Sequence, residues 1–449
     1  MEGKEIFLQL IDLLRQGKIA EFKALSLECP PVDIAEGIDE LDAQLTLRVF
    51  RLLPKDISAD VFSYLSSDQQ QVIAETASGL EMRHIIDDMF LDDTVDFLEE
   101  MPANLVTKVL QNASAQTRSL INQFLNYPEN SAGSLMTIEY VSLHEYYTVR
   151  KAMDHIRRTG VEKETVYTCY VVDAQRKLLG TVSLRKLIVA PESATIRDIM
   201  ESASVFAYTQ EDQEKVAEDF RHYDLMSLPV CDQEMRLVGI ITVDDIVDVI
   251  QEENTEDFEK MAAITPSDEE YLKSSVWTLA KHRVPWLLLL MISATFTGAI
   301  ITHFEAILSA MVVLTSFIPM LMDTAGHAGA QTTTLIIRGM ALGELDPSYL
   351  PQVLWKELRV ALMCGCLLAT VNFARLILVS HQTLLLSATV SLSILCTVVI
   401  AKMVGCLLPM AAKKIKLDPA VMAAPMITTI VDACALMIYF FLAIMFLGL

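Results

Sequence analysis

A single acidic residue stands in the last long apolar stretch of the chain. Asp432 is the only formally charged residue between positions 421 and 449. A carboxylate at the centre of a membrane-spanning helix costs about 2.5–3.5 kcal/mol on insertion scales. No base lies nearby in the sequence, so the carboxylate must meet water, a cation or a partner chain. We interpret Asp432 as part of an ion path, with the hydroxyl of Thr428 on the approach to it; a structural role is the alternative.

A second polar group falls in residues 322–339, between two apolar stretches. Asp323, His327 and Gln331 recur every fourth residue and therefore share one face of a helix. Small residues surround them, and Pro319 upstream favours a broken helix. Non-helical backbone at membrane depth is tolerated only against protein or water. This stripe is a second candidate for lining an ion path, and simple helix packing through small residues is the alternative.

Acidic side chains also cluster twice in the first part of the chain. Carboxylates suit hard divalent cations, and Mg²⁺ retains several waters while it uses one or two carboxylates at a time. Such ions can draw mutually repelling acidic faces together, although a solvated helix face is the alternative for any single acid. The clusters are Asp87, Asp88, Asp92, Asp93 and Asp96, and then Asp244, Asp245, Asp248, Glu252, Glu253, Glu256 and Asp257.

The charge balance divides the chain into two dissimilar parts. Of its 449 residues, 52% are hydrophobic and 21% are charged. Residues 281–449 contain ten basic and seven acidic side chains, whereas residues 1–280 contain 25 basic and 51 acidic ones. The acidic part excludes a nucleic-acid-binding protein, because its field repels polyphosphate and concentrates cations. No nucleophile–base pair, P-loop or zinc motif indicates an enzyme.

The apolar part predicts five membrane-spanning helices, since a span needs about 20 predominantly apolar residues. Basic residues concentrate before the first run, between the second and third, and between the fourth and fifth. Positive loops belong on the cytoplasmic side. We therefore expect a multi-pass protein of the cell membrane, with cytoplasmic N-terminal domains and the C-terminus outside. The runs are 284–304, 306–337 (long and irregular), 360–379, 384–410 and 421–449.

Three segments of different character precede the spans. Residues 1–130 carry apolar residues at helical spacing and predict an acidic all-α domain, either a small superhelix of short repeats or an irregular bundle. Residues 131–250 contain a duplicated α/β unit. Residues 251–280 form an acidic connector. The helical spacing of its apolar residues favours a plug-like helix that lies along the cytoplasmic entrance of the membrane domain. With the five-helix transmembrane domain at 281–449, the predicted fold is that of a multi-domain membrane protein.

The duplicated unit has the order strand, polar turn, strand, helix. Asp173 and Asp232 are 59 positions apart, and so are Gly180 and Gly239. The whole unit recurs rather than one short string. It resembles a tandem pair of CBS motifs, which are regulatory modules.

In such modules, a turn with a glycine, a hydroxyl and an Asp can hold a nucleotide. The resemblance implies that the hydroxyl reaches a phosphate or ribose and that the carboxylate takes the ribose hydroxyls. The second copy has Gly239, Thr242 and Asp245, whereas the first has Lys186 where the Asp is expected. ATP is therefore a candidate cofactor at the second copy. Helix capping by Thr242 and Asp245 is the alternative.

Over essentially its whole length, the order of these parts is similar to that of the MgtE family of magnesium transporters and channels. The resemblance rests on VGIITVDDIVDVIQEENTEDF (238–258), AGHAGAQTTTLIIRGMALGEL (325–345) and DPAVMAAPMITTIVD (418–432). That family forms homodimers whose second and fifth spans line one central pore. The resemblance implies a homodimer in the lipid bilayer, Mg²⁺ as the transported and regulatory ion, and Asp432 as the pore aspartate.

The resemblance also implies a set of acids that sense Mg²⁺. Two departures concern ion selectivity. His327 stands where the family usually has Asn, and Ala424 precedes Pro425 where the family often has Asn. The acids at matching positions are Asp92, Asp96, Glu214, Asp224, Asp245, Asp248, Glu253, Glu256 and Asp257.

These features favour a passive magnesium path that closes when cytosolic Mg²⁺ bridges the acidic faces. Asp432, Thr428, Asp323, His327 and Gln331 are the candidate pore residues. One alternative is a membrane-anchored CBS sensor of nucleotide or metal, without transport. Another is transport of a different divalent cation such as Mn²⁺ or Co²⁺.

Overall fold

A computed structural model describes residues 2–267, 271–272, 274–422 and 424–448 of the protein. It divides into two compact units, residues 1–249 and residues 250–449. The first unit contains a run of short helices followed by two small sheets, and the second is helical. Each unit has its own apolar core.

The described part of the first 130 residues forms short α-helices and no strand, which confirms the all-helical prediction. Local signals begin these helices: Asp42 accepts hydrogen bonds from two backbone N–H groups of α4, and Ser78 and Glu81 form a capping box on α7. Phe22, Phe62 and other large apolar side chains fill the core. The helices are α1 (Glu2–Arg15), α2 (Ile19–Ser26), α3 (Pro31–Asp39), α4 (Ala43–Leu52), α5 (Lys55–Ser63), α6 (Ser67–Thr76), α7 (Gly79–Asp88), α8 (Leu91–Glu99), α9 (Ala103–Asn112) and α10 (Ala115–Phe124).

Two similar α/β modules follow these helices. In each, one strand pairs in parallel with the next, which then forms an antiparallel hairpin. The sheet orders are β1-β2-β3-β4 and β5-β6-β7. The elements are α11 (Ala132–Leu135), β1 (Ser142–His144), α12 (Val149–Thr159), β2 (Thr168–Val172), β3 (Leu178–Ser183), α13 (Leu184–Val189), α14 (Ile196–Ile199), β4 (Glu201–Ser202), β5 (Ala207–Tyr208), α15 (Gln213–Tyr223), β6 (Ser227–Cys231), β7 (Leu237–Thr242) and α16 (Val243–Met261).

The repeated glycine has the same packing role in both modules. A Cβ atom at Gly180 would lie 2.2 Å from the carbonyl oxygen of Glu201. A Cβ atom at Gly239 would lie 2.8 Å from the carbonyl oxygen of Thr137. Another backbone crosses each hairpin at that point, so only glycine fits. Gly239 is thus explained by close backbone approach.

Helix α16 runs without a break from Val243 to Met261. The last helix of the second module and the first part of the acidic connector are therefore one element. After Met261 the chain turns, and Ala263 adopts a positive φ of 57°. Ala262 and Ile264, which extend the helical spacing in the sequence, lie beyond the helix, since the positive φ and the nearby Pro266 end it.

The described residues of the second unit form long helices joined by short turns. Three short 3-10 segments, Val312–Phe317, Pro347–Tyr349 and Ala420–Met422, lie among them. The remaining helices are α17 (Val276–His303), α18 (Glu305–Ala310), α19 (Ile318–Ala341), α20 (Leu350–Leu378), α21 (Leu384–Lys414) and α22 (Ala424–Leu447).

Four segments in the described residues are long and apolar enough to cross a membrane. They lie in α17, in α20 with the turn before it, in α21 and in α22. Helix α19, within the predicted second span, is not among them, because Asp323, His327, Gln331 and Arg338 lower its hydropathy. The structure thus supports four of the five predicted spans by length and composition. The first span begins earlier than predicted, because Ser275 caps α17 before its basic residues.

A proline in α21 explains a contact between α21 and α19. Pro409 has no N–H, so the carbonyl of Gly405 loses its partner one turn later. The hydroxyl of Thr333 in α19 donates to that carbonyl at 2.9 Å. A Cβ atom at Gly405 would lie only 2.6 Å from the carbonyl oxygen of Gly329. The two helices therefore approach closely through glycines and satisfy the freed carbonyl from a neighbouring helix, as a membrane interior requires.

We expect Gly405→Ala to lower the stability of the second unit. The added methyl group would force α19 and α21 apart, and overpacking costs about 1–3 kcal/mol. The measurement is thermal unfolding in detergent followed by tryptophan fluorescence, because all three tryptophans, at positions 277, 286 and 355, lie in this unit. Gly298→Ala is the control, since a Cβ there meets nothing within 4 Å. Equal midpoints for the two variants would contradict the packing.

Candidate metal-ion sites

Helix α19 places the predicted polar stripe on one exposed face. Asp323 and His327 have side chains 75% and 76% exposed, and the Nε2 atom of His327 lies 3.3 Å from Oδ1 of Asp323. Gln331 is exposed one turn further on. Ala325 and Gly329 are buried on other faces of the same helix. The three polar residues therefore share a face that this chain's own helices leave uncovered.

Helix α22 packs beside α19 and carries the other two candidate pore residues. A Cβ atom at Gly326 of α19 would lie 3.4 Å from the methyl carbon of Thr428. Asp432 follows one turn after Thr428 and is half-buried. Among the residues described, no hydrogen bond or ion pair involves its carboxylate. The departure at Ala424 and Pro425 concerns side chains outside those that the structure describes.

The base in the predicted fourth span is engaged elsewhere. Lys402 is buried in α21, and its Nζ atom lies 3.9 Å from Oε2 of Glu357 in α20. It therefore does not neutralise Asp432. Sequence reasoning missed Glu357, because it stands between Lys356 and Arg359 and looks like a loop charge. Only the packing of α20 against α21 buries it.

The first unit brings acids from three segments together. Asp92, Asp93 and Asp96 lie on α8, Asp245 lies at the start of α16, and Glu164 precedes β2. Burial, reinforced by neighbouring carboxylates, raises the pKa of Asp93 and Asp245 to about 6. The same causes raise the pKa of Glu164 and of the more exposed Asp96 to about 7. Burial raises the pKa of Asp92 well above its usual range, with the charges of Asp93 and Asp245 adding to the effect.

The raised pKa values of this acidic group bear on whether a cation could bind there. They mean that the ionised carboxylates repel one another and lack a compensating base, which is the arrangement that a divalent cation relieves. Asp248 contributes charge to the same group through Asp245. No three His, Cys, Asp or Glu side chains in the described ranges converge closely enough to hold a metal by themselves. Carboxylates are the ligands that Mg²⁺ prefers, and it uses one or two of them at a time while it keeps several waters.

The end of α16 forms a second acidic group within the other unit. The Nζ atom of Lys260 lies 2.7 Å from Asp418 and 2.7 Å from Glu256. Burial lowers the pKa of Lys260, but hydrogen bonds to those two carboxylates outweigh burial and raise it above its usual range. Burial, followed by the charge of Asp418, raises the pKa of Asp257 to about 6, and Glu253 adds to it. Acids outnumber the one base in this group.

Two of the predicted sensing acids lie apart from each other. Glu214 is in the first turn of α15, and Asp224 is the left-handed residue that ends the same helix. Ten residues of helix separate them, which corresponds to roughly 15 Å. The structure therefore does not bring these two together within one chain.

The predicted nucleotide turn lies in the acidic group. The hydroxyl of Thr242 donates to Oδ2 of Asp245 at 2.9 Å, so these two side chains are bonded to each other at the start of α16. A cleft of about 510 Å³ opens at the first module instead. Tyr167, Ser183 and Arg185 are among the residues that line it. Leu184, Ile188, Val189 and Met226 also line the cleft, so its wall is largely apolar. The guanidinium of Arg185 is the group that can meet an anionic ligand there.

The fold and these sites define a class of protein, namely a multi-domain membrane protein. One unit is helical and carries a candidate polar path, and the other contains paired α/β modules and crowded carboxylates. Residues 318–442 match the MgtE family, described as a divalent cation transporter. Residues 29–130 match the MgtE intracellular N domain, and residues 132–193 and 196–252 each match the CBS domain. The chain belongs to the MgtE family of magnesium transporters, and the resemblance seen in the sequence is confirmed.

Two relatives match nearly the whole chain, and a solved structure matches about half of it. The chain is 35% identical over 443 residues to a magnesium transporter MgtE of Thermus thermophilus, with 98% of each chain covered. It is 32% identical over 447 residues to a magnesium transporter MgtE of Bacillus subtilis, with 100% of this chain and 98% of the relative covered. The crystal structure of the cytosolic domain of the Mg²⁺ channel MgtE in complex with ATP is 36% identical with a TM-score of 0.52, covering 54% of this chain and 99% of that one.

Raised carboxylate pKa values predict how stability depends on pH. These acids have pKa values of about 6 to 7 in the folded chain and near 4 in the unfolded chain. Between these values the folded chain keeps protons that the unfolded chain has released. Their protonation stabilises the first unit below about pH 4, and this stabilisation is lost progressively as the pH rises from about 4 to about 7. We expect the unfolding midpoint of the metal-free full chain to fall over this range in scanning calorimetry.

The same measurement tests the role of Asp92. Asp92→Asn removes a buried acid whose charged form burial and neighbouring carboxylates disfavour. It should raise the metal-free midpoint at pH 7.5 and reduce the stabilisation by added Mg²⁺. Glu218→Gln, a change at an exposed acid of α15, should leave both unchanged. A Mg²⁺ response of Asp92→Asn equal to that of the wild type would contradict this account.

Proposed function

We propose that the protein is a passive transporter of Mg²⁺, with one ion path on the axis of a homodimer in the cell membrane. The observation that carries the proposal is Asp432, a half-buried carboxylate without a basic partner in the described residues. It lies on α22, one turn beyond the point at which α19 approaches Thr428. Lys402, a buried base of α21, is already paired with Glu357.

The exposed polar face of α19 supports the proposal that two copies of the chain form a dimer. Asp323 and His327 cannot face lipid without a large desolvation cost. A partner whose α19 and α22 face the same axis would enclose both stripes around water. We therefore count α19 as a fifth span, with cytoplasmic N-terminal domains and the C-terminus outside. We retain 1–130, 131–250, 251–280 and 281–449 as the domain boundaries, and we expect no catalytic activity.

Mg²⁺ would pass this site largely hydrated. It dehydrates reluctantly, so the carboxylate of Asp432 from each chain would hold the ion through its waters. Thr428, Gln331 and His327 would offer further polar contacts along the path. The membrane potential would drive entry, at about 2.3 kcal/mol per charge per 100 mV. The protein would need no other energy source.

We expect Asp432→Ala to reduce Mg²⁺ flux per folded protein by at least tenfold, which corresponds to about 1.4 kcal/mol of lost ion stabilisation. The measurement is Mg²⁺ entry into proteoliposomes that contain a Mg²⁺-sensitive dye. Glu344→Gln, a change at an exposed acid of the loop after α19, should retain wild-type flux. Undiminished flux in Asp432→Ala would rule out the path. Absence of flux in the wild type would instead favour a membrane-anchored sensor.

We propose that cytosolic Mg²⁺ closes the path. When the ion is scarce, like-charged acidic surfaces repel and the connector helices separate; when it is abundant, bound ions bridge the carboxylates and the connectors close the mouth. Ligand binding shifts such an equilibrium only by its differential affinity for the two states. The raised carboxylate pKa values support this reading. The proposed sensing acids are Asp92, Asp96, Glu214, Asp224, Asp245, Asp248, Glu253, Glu256 and Asp257.

Neutralising the connector acids tests the gate. We expect the triple variant Glu253→Gln, Glu256→Gln, Asp257→Asn to increase the cytosolic Mg²⁺ concentration that halves flux by about 5- to 150-fold, the usual range of coupling free energies. Flux at low Mg²⁺ should stay close to that of the wild type. The control is Glu218→Gln. An unchanged inhibition curve would contradict the gate and leave the path intact.

Two further assignments belong to this proposal. The cleft at Tyr167, Ser183 and Arg185 is a candidate ATP site, because the acids around Asp245 would repel the triphosphate; the turn at Gly239, Thr242 and Asp245 stays a prediction.

His327 favours Mn²⁺ or Co²⁺ as alternative substrates, since imidazole suits transition metals better than Mg²⁺. Competition by these ions in the same vesicles distinguishes the substrates.

A further inference from the structure

Three side chains from three helices meet in a buried polar cluster in the second unit. The hydroxyl of Thr332 in α19 donates to Oε2 of Glu357 in α20 at 3.0 Å. The Nζ atom of Lys402 in α21 donates to the same hydroxyl at 3.1 Å. Lys402 and Glu357 have side chains 7% and 13% exposed and lie 3.9 Å apart. We call these three residues the polar clamp.

The clamp is a closed set of interactions. The single hydroxyl of Thr332 both donates and accepts, which joins the carboxylate to the ammonium group. Removing one member of a buried ion pair leaves the other charge uncompensated and is strongly destabilising, whereas the pair itself contributes little net stability. A buried ionisable pair in a membrane-spanning unit is therefore better explained by a positional role than by overall stability.

The clamp holds the face of α19 that lies away from the polar stripe. At 100° per residue, Thr332 is about 140° around the helix from His327 and about 180° from Asp323. Most of the neighbouring residues on α19 are small. Gly326 and Gly329, for example, permit close approach and offer no directional contact. The hydroxyls of Thr332 and the adjacent Thr333 supply directional bonds from α19 to other helices.

We propose that the polar clamp fixes the rotation of α19 and thereby directs Asp323, His327 and Gln331 towards the ion path. Thr332, Glu357 and Lys402 are then positioning residues that never touch the ion. This inference rests on the proposed function, because it assumes that cations pass along the exposed face of α19. It assigns a purpose to two charges inside the membrane unit that the path itself does not use.

The test uses full-length protein in proteoliposomes, with Mg²⁺ and Co²⁺ flux measured per folded molecule. Thr332→Val removes only the hydroxyl, and Glu357→Gln removes only the charge. A misplacement of about 1 Å can cost on the order of 100-fold, so we expect flux to fall by roughly 10- to 100-fold. The ratio of Mg²⁺ to Co²⁺ flux should also change, because the stripe that contacts the ion has turned.

Two controls separate positioning from folding. Thr370→Val is the same substitution at an exposed threonine of α20 that bonds to its own helix, and it should change neither flux nor ratio. The exchange Glu357→Lys with Lys402→Glu restores opposite charges and should recover flux and the wild-type ratio. If Glu357→Gln alone does not fold, Thr332→Val and the exchange still test whether the clamp orients the stripe.

The outcomes distinguish the two proposals. The clamp would be overturned, and the path left standing, if Thr332→Val and the single variants Glu357→Lys and Lys402→Glu lowered only the protein yield. Their ratio of Mg²⁺ to Co²⁺ flux would then equal that of the wild type. A changed ratio that the exchange restores supports the clamp. Wild-type vesicles without flux, or undiminished flux in Asp432→Ala, would overturn the path and the clamp together.

Discussion

The cost of holding a charge away from water governs both units of this protein. In the second unit, Asp432 has no basic partner in the described residues, and the buried Lys402 is already joined to Glu357 and Thr332. A carboxylate in that setting is stable only beside water or a cation. The uncovered stripe of α19 has the same requirement. A shared aqueous path between two copies of the chain meets both requirements at once, which is why the transport proposal follows from electrostatics as much as from family membership.

The same electrostatic cost acts on the acidic group of the first unit. Asp93, Asp245 and Glu164 are held close enough that burial and mutual repulsion raise their pKa values to about 6 or 7. Near neutral pH such a group stores unfavourable energy that a divalent cation can release. Helix α16 contains Asp245 near its start and Asp257 near its end, in one unbroken element. The gate proposed above requires such continuity, because an ion bound at either acidic group would then act on the same helix.

Local sequence signals predicted most of the architecture. The all-helical first segment, the duplicated strands and four of the spans follow from periodicity, the repeated glycines and long apolar runs. The fifth span could not be settled in the same way, because α19 combines spanning length with Asp323, His327 and Gln331. The start of α17 and the continuity of α16 were also missed. A capping serine and a helix that crosses a domain boundary leave only weak signals in composition.

For the functional residues, the sequence by itself determined which side chains needed an explanation. A lone Asp432 in an apolar run, a four-residue polar spacing and an acidic first part are visible without coordinates, because they violate the rule that charges stay in water. Only the tertiary structure decided which of them lie near one another. It joined Asp92 to Asp245, separated Glu214 from Asp224 and buried Glu357 against Lys402. Those pairings depend on helices that are distant in sequence but packed in space, and no local pattern encodes such contacts.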